Sequence, residues 1–293
     1  MRDTIATYFQ QLQDTICQAL ETADGSGKFK EDQWNHHSGG GGRSRVLENG
    51  SIIEKGGVNF SAVQGQTSEA LMRQMNLTEQ ADYFATGVSI VMHPHSPKVP
   101  IIHMNVRYFE LSNGVSWFGG GIDLTPHYVV EEDARWFHQQ LKASCDKHDP
   151  SYYPKFKKWA DDYFYIPHRQ ETRGVGGIFF DYLKSQDKEP LFHFVREVGE
   201  TFAPTYTYLM LKNKDLAFSE TEKEWQLVRR GRYAEFNLAW DRGTKFGLET
   251  GGRTESILMS LPPMARWIYD YHPTADTPEG QTNLLLKKGI EWV

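Results

Sequence analysis

Cysteine is nearly absent: Cys17 and Cys145 are the only two in 293 residues, and they lie far apart. A pair so separated supports neither a disulfide framework nor a thiolate-held zinc or iron–sulfur site, each of which needs clustered cysteines. Long apolar runs are missing too. A membrane span needs about eighteen consecutive apolar residues, so no integral membrane segment is expected. The third absence is an excess of positive charge. Thirty-two Lys and Arg against 38 Asp and Glu leave a formal charge of −6. That gives no global positive field for nucleic acid or an anionic membrane surface. Local arginines still suffice for an anionic small molecule, because a guanidinium grips a carboxylate bidentately. For the cluster Arg229, Arg230 and Arg232 a solvated basic turn is the simplest reading. The amino terminus, interrupted by Asp3, Asp14 and Glu21, reads as neither a signal nor a transit peptide. A cytoplasmic, reducing setting is expected, and a processed organellar form is compatible with it.

What is present is ordinary for a globular chain, with 39% hydrophobic and 24% charged residues. The 13% aromatic share is generous and suits a protein that receives a flat apolar ligand. No repeat, linker or composition break divides the chain, so residues 1–293 read as one domain. Ile5, Phe9, Leu12, Ile16 and Leu20 form a helical stripe, ended by turn residues at 24–27. Residues 46–53 read as a hairpin with Asn49-Gly50 in a type I′ turn, and residues 57–63 as a further strand. The runs 86–93, 99–111 and 115–124 read as strands broken by Pro94, Pro97 and Asn113-Gly114. Their connections are too short for parallel crossovers, so they should be antiparallel neighbours. Helices are predicted over 131–145, 154–164 and 190–211, with late strands at 233–240 and 257–261. This is an α+β pattern, an antiparallel sheet covered by helices.

Strand alternation sorts the chemistry. On residues 101–109 it sends Ile102, Met104, Val106 and Tyr108 one way and His103, Asn105 and Arg107 the other. A proton carrier, an amide and a guanidinium thereby share a face; a merely solvated strand face is the plain alternative. In the next strand Trp117, Gly119, Gly121 and Asp123 share a face. Three successive glycines inside a strand mark either a bulge or the close approach of a ligand. We read them as bare backbone for a flat ligand, within reach of Asp123. The run lacks the Lys-Ser/Thr and following helix of a phosphate loop. Ser89 is placed to donate to a carboxylate, and without a Gly-x-Ser-x-Gly elbow it is a poor nucleophile. Gly251, Gly252 and Arg253 can present main-chain N–H groups and a guanidinium to a carboxylate. His93, His103, His138 and His168, with Asp123, are candidate ligands for a divalent metal, although no short ligand spacing joins them.

At these residues the chain closely resembles the oxygen-dependent coproporphyrinogen III oxidases. The resemblance rests on GGGGRSR (39–45), VPIIHMNVRYFE (99–110), WFGGGIDLTP (117–126), GVGGIFFD (174–181), RRGRYAEFN (229–237), DRGT (241–244) and GGRTESILMS (251–260), in order along essentially the whole chain. It implies oxidative decarboxylation of two propionates of coproporphyrinogen III to vinyls, with O2 as oxidant and no organic cofactor. It implies a large, flat, mainly antiparallel sheet flanked by helices on both sides, in a homodimer. By position, His103 would transfer protons and Asp123 would face the pyrrole nitrogens. Ser89, Asn105, Val106, Arg107, Gly251, Gly252 and Arg253 would bind substrate. His93, His103, His138 and His168 match histidines proposed to hold a divalent metal in some members. Ser116 replaces a family aromatic, and Tyr182 replaces the usual second aspartate after Phe-Phe-Asp; both bear on the shape of the pocket. The competing functions are a non-haem metal oxygenase on another substrate and a porphyrin carrier without turnover.

Overall fold

In the computed structural model, which describes all residues except Asn76 and Thr250, helix α1 (Arg2–Asp24) buries Ile5, Phe9, Leu12, Ile16 and Leu20, as their spacing predicts. It stops at Gly25, whose φ of 87° suits a residue without Cβ. The carboxylate of Asp24 then accepts the main-chain N–H groups of Gly27, Ser51, Ile52 and Ile53 at 2.7–2.8 Å, tying the helix end to the first hairpin.

The chain continues as β1 (Lys30–Asn35), β2 (Gly40–Glu48), β3 (Ile53–Gln66), a short α2 (Glu69–Met75), β4 (Asp82–Pro94), β5 (Ile101–Leu111) and β6 (Ser116–Thr125). Helices α3 (Glu131–Asp146) and α4 (Tyr152–Tyr163) follow, then a small hairpin of β7 (Tyr165–Ile166) and β8 (Glu171–Thr172). Strand β9 (Gly176–Leu183) comes next and pairs with β6. The result is a seven-stranded, wholly antiparallel sheet in the order β1-β2-β3-β4-β5-β6-β9. The remaining helices are α5 (Glu189–Asn213), α6 (Glu220–Ala239), α7 (Arg242–Glu249), α8 (Thr254–Leu258) and α9 (Pro278–Leu285).

One face of the sheet is the main core. Ile102, Met104, Val106 and Tyr108 are at most 1% exposed and cluster with the apolar stripes of α1 and α5. Segments around α6 and α8 lie over the other face: Asn59 Nδ2 donates to Ser256 O at 2.6 Å, and His93 Nε2 donates to Ser260 O at 2.8 Å. Helix α4 straddles the β9 edge, with Phe156 against Phe180 in the main core and Ala160 and Phe164 with Phe179 and Phe236 in a second cluster. Covering an edge in this way removes a site for stray strand pairing.

Several expectations need correction. The first hairpin forms, but not with a type I′ turn: Asn49 has φ 57° and Gly50 does not join it at positive φ. The link is longer, and Asp24 shapes it by collecting amides. Residues 233–239 lie in α6, and 257–261 are the end of α8 and the turn after it; neither segment is a strand. Helix α6 opens with a capping box of Ser219 and Glu222. Nor is the arginine cluster a solvated turn. Arg229 and Arg230 are 2% and 0% exposed inside α6, paired with Glu171 at 2.7 Å and Glu54 at 2.5 Å. Their partners come from β8 and β3, where no local pattern could reveal them.

Candidate active site

Antiparallel register places His103 opposite Asp123, Asn105 opposite Gly121 and Arg107 opposite Gly119. Residues directly opposite in an antiparallel pair point the same way, so the two faces picked out by alternation are one. The register extends across the sheet. Asp32, Ser44, Asn59, Ser89, Asn105 and Gly121 lie opposite one another in succession from β1 to β6, a span of about 24 Å at roughly 4.8 Å per strand. Along this row Asn59, Ser89 and Asn105 are half-buried, while Ser44 and Gly121 are buried.

At its deep end sits Asp123, 1% exposed. Its Oδ1 accepts from His103 Nδ1 at 2.8 Å, and Arg173 Nη2 donates to both carboxylate oxygens at 2.8 and 2.7 Å. Burial alone would push this carboxyl up; the Arg173 charge and the His103 hydrogen bond outweigh it and hold it below the usual carboxylate range. Arg173 is itself 3% exposed, with its guanidinium 4.4–4.7 Å from the ring centres of Phe164, Tyr233 and Phe236. A carboxylate only accepts, so His103 carries its proton on Nδ1 toward Asp123. Its Nε2 has no protein partner among the described residues, and the side chain keeps 22% exposure. Asp123 therefore offers no free oxygen to the cleft here. It orients His103, whereas the resemblance places it against the ligand.

Arg107 is aimed by two neighbours. Its Nη1 donates to Asn105 Oδ1 at 2.7 Å and its Nη2 pairs with Asp181 Oδ2 at 2.8 Å. That pair crosses β6 at Gly119, where a Cβ would lie 2.5 Å from Asp181 and 2.8 Å from Arg107. A shift of register between Phe118 and Gly120 against β9 marks a bulge there. The glycine run is thus explained by the protein's own close packing, and the bare-floor reading of it is corrected. Ser89 and Asn105 do face the cleft side. Val106 does not: its side chain is 0% exposed in the main core, so alternation removes it from the side-chain contacts. Gly251, with φ 74°, and Gly252 form the turn between α7 and α8. Arg253 follows and reaches Asp32 at the outer end of the polar row.

The four histidines go separate ways. His93 is buried beside Ser260 and Tyr233, and burial pushes it down to about 3. His138 donates from Nε2 to Val175 O at 3.0 Å and accepts from Tyr153 Oη at Nδ1, 2.9 Å away; burial pushes it down to about 4. His168 is taken up by Glu235 and Trp240. Among the described residues no group of three or more His, Cys, Asp or Glu side chains could hold a metal ion. His93, His103, His138 and His168 do not fit a shared metal site.

Sequence reasoning gave no role to Arg173, Asp181 or Asp241. Asp241 accepts from Tyr163 Oη at 2.7 Å and from Thr244 at 2.7 Å. Arg173 directly precedes the quoted run 174–181, and Asp181 ends it; nothing in the spacing said where either would point.

The family model described as coproporphyrinogen III oxidase matches residues 4–292. An oxygen-dependent coproporphyrinogen-III oxidase of Drosophila melanogaster is 50% identical over 306 aligned residues, covering 100% of this chain and 78% of that protein. Coproporphyrinogen-III oxidase 1, chloroplastic, of Arabidopsis thaliana is 49% identical over 307, covering 100% of this chain and 80% of that protein.

Proposed function

The chain belongs to the coproporphyrinogen III oxidase family, and from that premise we propose that it oxidatively decarboxylates coproporphyrinogen III to protoporphyrinogen IX in haem biosynthesis. At each of two propionates the –CH2–CH2–COO− arm loses CO2 and a hydride equivalent to become a vinyl. One O2 per arm takes up that hydride equivalent, two electrons and one proton, and leaves as H2O2 with one further proton from solvent. Family membership sets aside an oxygenase acting on another substrate.

The observation that carries the assignment of residues is the His103–Asp123 hydrogen bond beside Arg107 on one face of the sheet, where the His103 and Arg107 side chains stay 22% and 34% exposed. Arg107, pre-aimed by Asn105 and Asp181, binds a propionate carboxylate by charge-assisted hydrogen bonds. Arg253, following the Gly251-Gly252 turn, offers a second carboxylate site at the far side of the polar row, and Ser89 lies between the two; the Gly252 N–H is already given to Gly247 O. His103 presents Nε2 to the reacting pyrrole and accepts a proton there, while Asp123 and Arg173 fix the ring's tautomer and orientation. The role for Asp123 proposed here is support of His103.

The resemblance further supports a homodimer. No helix among the described residues is long and apolar enough to cross a membrane. We read the setting as cytoplasmic, or organellar after processing, as the word chloroplastic in the Arabidopsis protein's name says of that protein.

Incubating the purified chain with coproporphyrinogen III in air and under argon tests the function. Protoporphyrinogen IX should form in air only, with one CO2 and one H2O2 per vinyl. Binding without product in air would leave the carrier reading standing.

A further inference from the structure

Tyr182 holds a backbone conformation that a bulky L-residue seldom takes. Its φ is 51°, in the left-handed region where Gly, Asn and Asp are at ease and an aromatic residue is strained. Strain at a residue is informative when nothing in the core repays it. Tyr182 is 51% exposed, so its ring is not there to fill the interior. It stacks on Trp117, with centroids 5.0 Å apart and planes at 29°. Trp117 in turn stacks on Phe109 at 4.4 Å, and Phe109 on Tyr83 at 6.0 Å. Alternation puts Phe109 on the face of His103 and Arg107, and Trp117 is its register partner, so this ladder of rings stands on the cleft side of the sheet.

The ladder adjoins the cation that aims at carboxylates. The N–H of Tyr182 donates to Asp181 Oδ1 at 2.9 Å, while Asp181 Oδ2 pairs with Arg107 at 2.8 Å. The bulge of β9 against β6 between Phe118 and Gly120 bends the strand and re-aims the side chains next to it. Lys184 adds a second ammonium, 5.7 Å from the Trp117 ring and 5.9 Å from that of Tyr182. A guanidinium and an ammonium beside an exposed aromatic face suit a flat ring that carries carboxylate arms.

We propose that the Tyr182 ring, backed by Trp117, is a side wall of the cleft against which the pyrrole whose propionate Arg107 holds is stacked, making Tyr182 a specificity-determining residue. This rests on the reading of the substrate as a carboxylate-bearing porphyrinogen. The wall contributes to holding the ring and leaves proton transfer to His103.

The test uses full-length Tyr182→Asn and Tyr182→Phe. Asn fits the left-handed backbone and removes the ring; Phe keeps the ring. Three quantities are read: melting temperature, KM and kcat for coproporphyrinogen III in air, and Kd for coproporphyrin from quenching of tryptophan fluorescence. We expect Tyr182→Asn to melt no lower than the wild type, with KM and Kd raised about 3–10-fold, the range of one aromatic stacking contact, and kcat within about twofold. Tyr182→Phe should restore both constants to near wild-type values. Unchanged KM and Kd in Tyr182→Asn overturn the proposal, as does a parallel fall of kcat and melting temperature, which marks a structural role. If the wild type makes no product, the functional reading fails, and the coproporphyrin Kd still decides whether the wall binds a flat carboxylated ring.

Discussion

His103 and Asp123 face each other as register partners on β5 and β6, and the imidazole Nδ1 lies 2.8 Å from the carboxylate Oδ1. The sheet alone sets this pair: two residues, each at an odd-numbered position between apolar even-numbered ones, meet because the strands are antiparallel and their register is fixed. Arg173 then neutralises the buried carboxylate from behind. An ion pair so deep stabilises only while both members are present.

Replacing Arg173 by Met should therefore be severe. It leaves Asp123 buried and without its counter-charge, and breaking a buried pair from one side costs about 3–5 kcal/mol. Chemical denaturation should show a loss of that order, with the slope unchanged. A loss below about 1 kcal/mol would mean that the pair is far better hydrated than its 1% and 2% side-chain exposures indicate.

Arg107 should act on binding. Replacing it by Ala removes a charge-assisted contact to a propionate, worth about 1.5–3 kcal/mol, so KM for coproporphyrinogen III should rise about 10–150-fold. Stability should change little, because the side chain is 34% exposed. Steady-state kinetics in air check this, and an unchanged KM contradicts the role.

His138 gives a pH signature. Its ordinary value is 6.5, and burial lowers it to about 4 in the folded chain. Between those values the unfolded chain holds a proton that the folded chain lacks. Stability from this site is therefore full above pH 6.5 and falls as pH drops toward about 4, by up to about 1.4 kcal/mol per pH unit. His138→Gln should flatten the dependence of unfolding free energy on pH across that window. An identical slope in the variant would remove His138 from the account of acid sensitivity.

Much of the sheet was legible in the sequence because β5 and most of β4 alternate between buried and half-buried positions, and the links among β4, β5 and β6 are short. β1 was not: Lys30–Asn35 is nearly all polar, as an exposed edge strand can be, so it carries no apolar period. Residues 233–240 were misread because aromatic residues suggested a strand. The helix was signalled elsewhere, by the Ser219 and Glu222 cap and by helix-forming Glu, Leu and Ala. At the site, alternation gave His103, Asn105, Arg107 and Asp123. It gave no partner for Asp123, since Arg173 arrives from a loop beyond two helices. The metal cluster of four histidines came from residue type and the family resemblance, and the fold sends those histidines to different surroundings.

The central claim is that His103 and Asp123 work as one unit in oxygen-dependent decarboxylation. The direct test is a double-mutant cycle on kcat for CO2 release in air, using His103→Gln, Asp123→Asn and the double variant, each shown to be folded at the assay temperature. Each single change should lower kcat by about 10²–10⁴-fold, and the double variant should be little worse than the weaker single one, as for residues that act together. Losses that multiply in the double variant, or a single variant with near wild-type turnover, would contradict it.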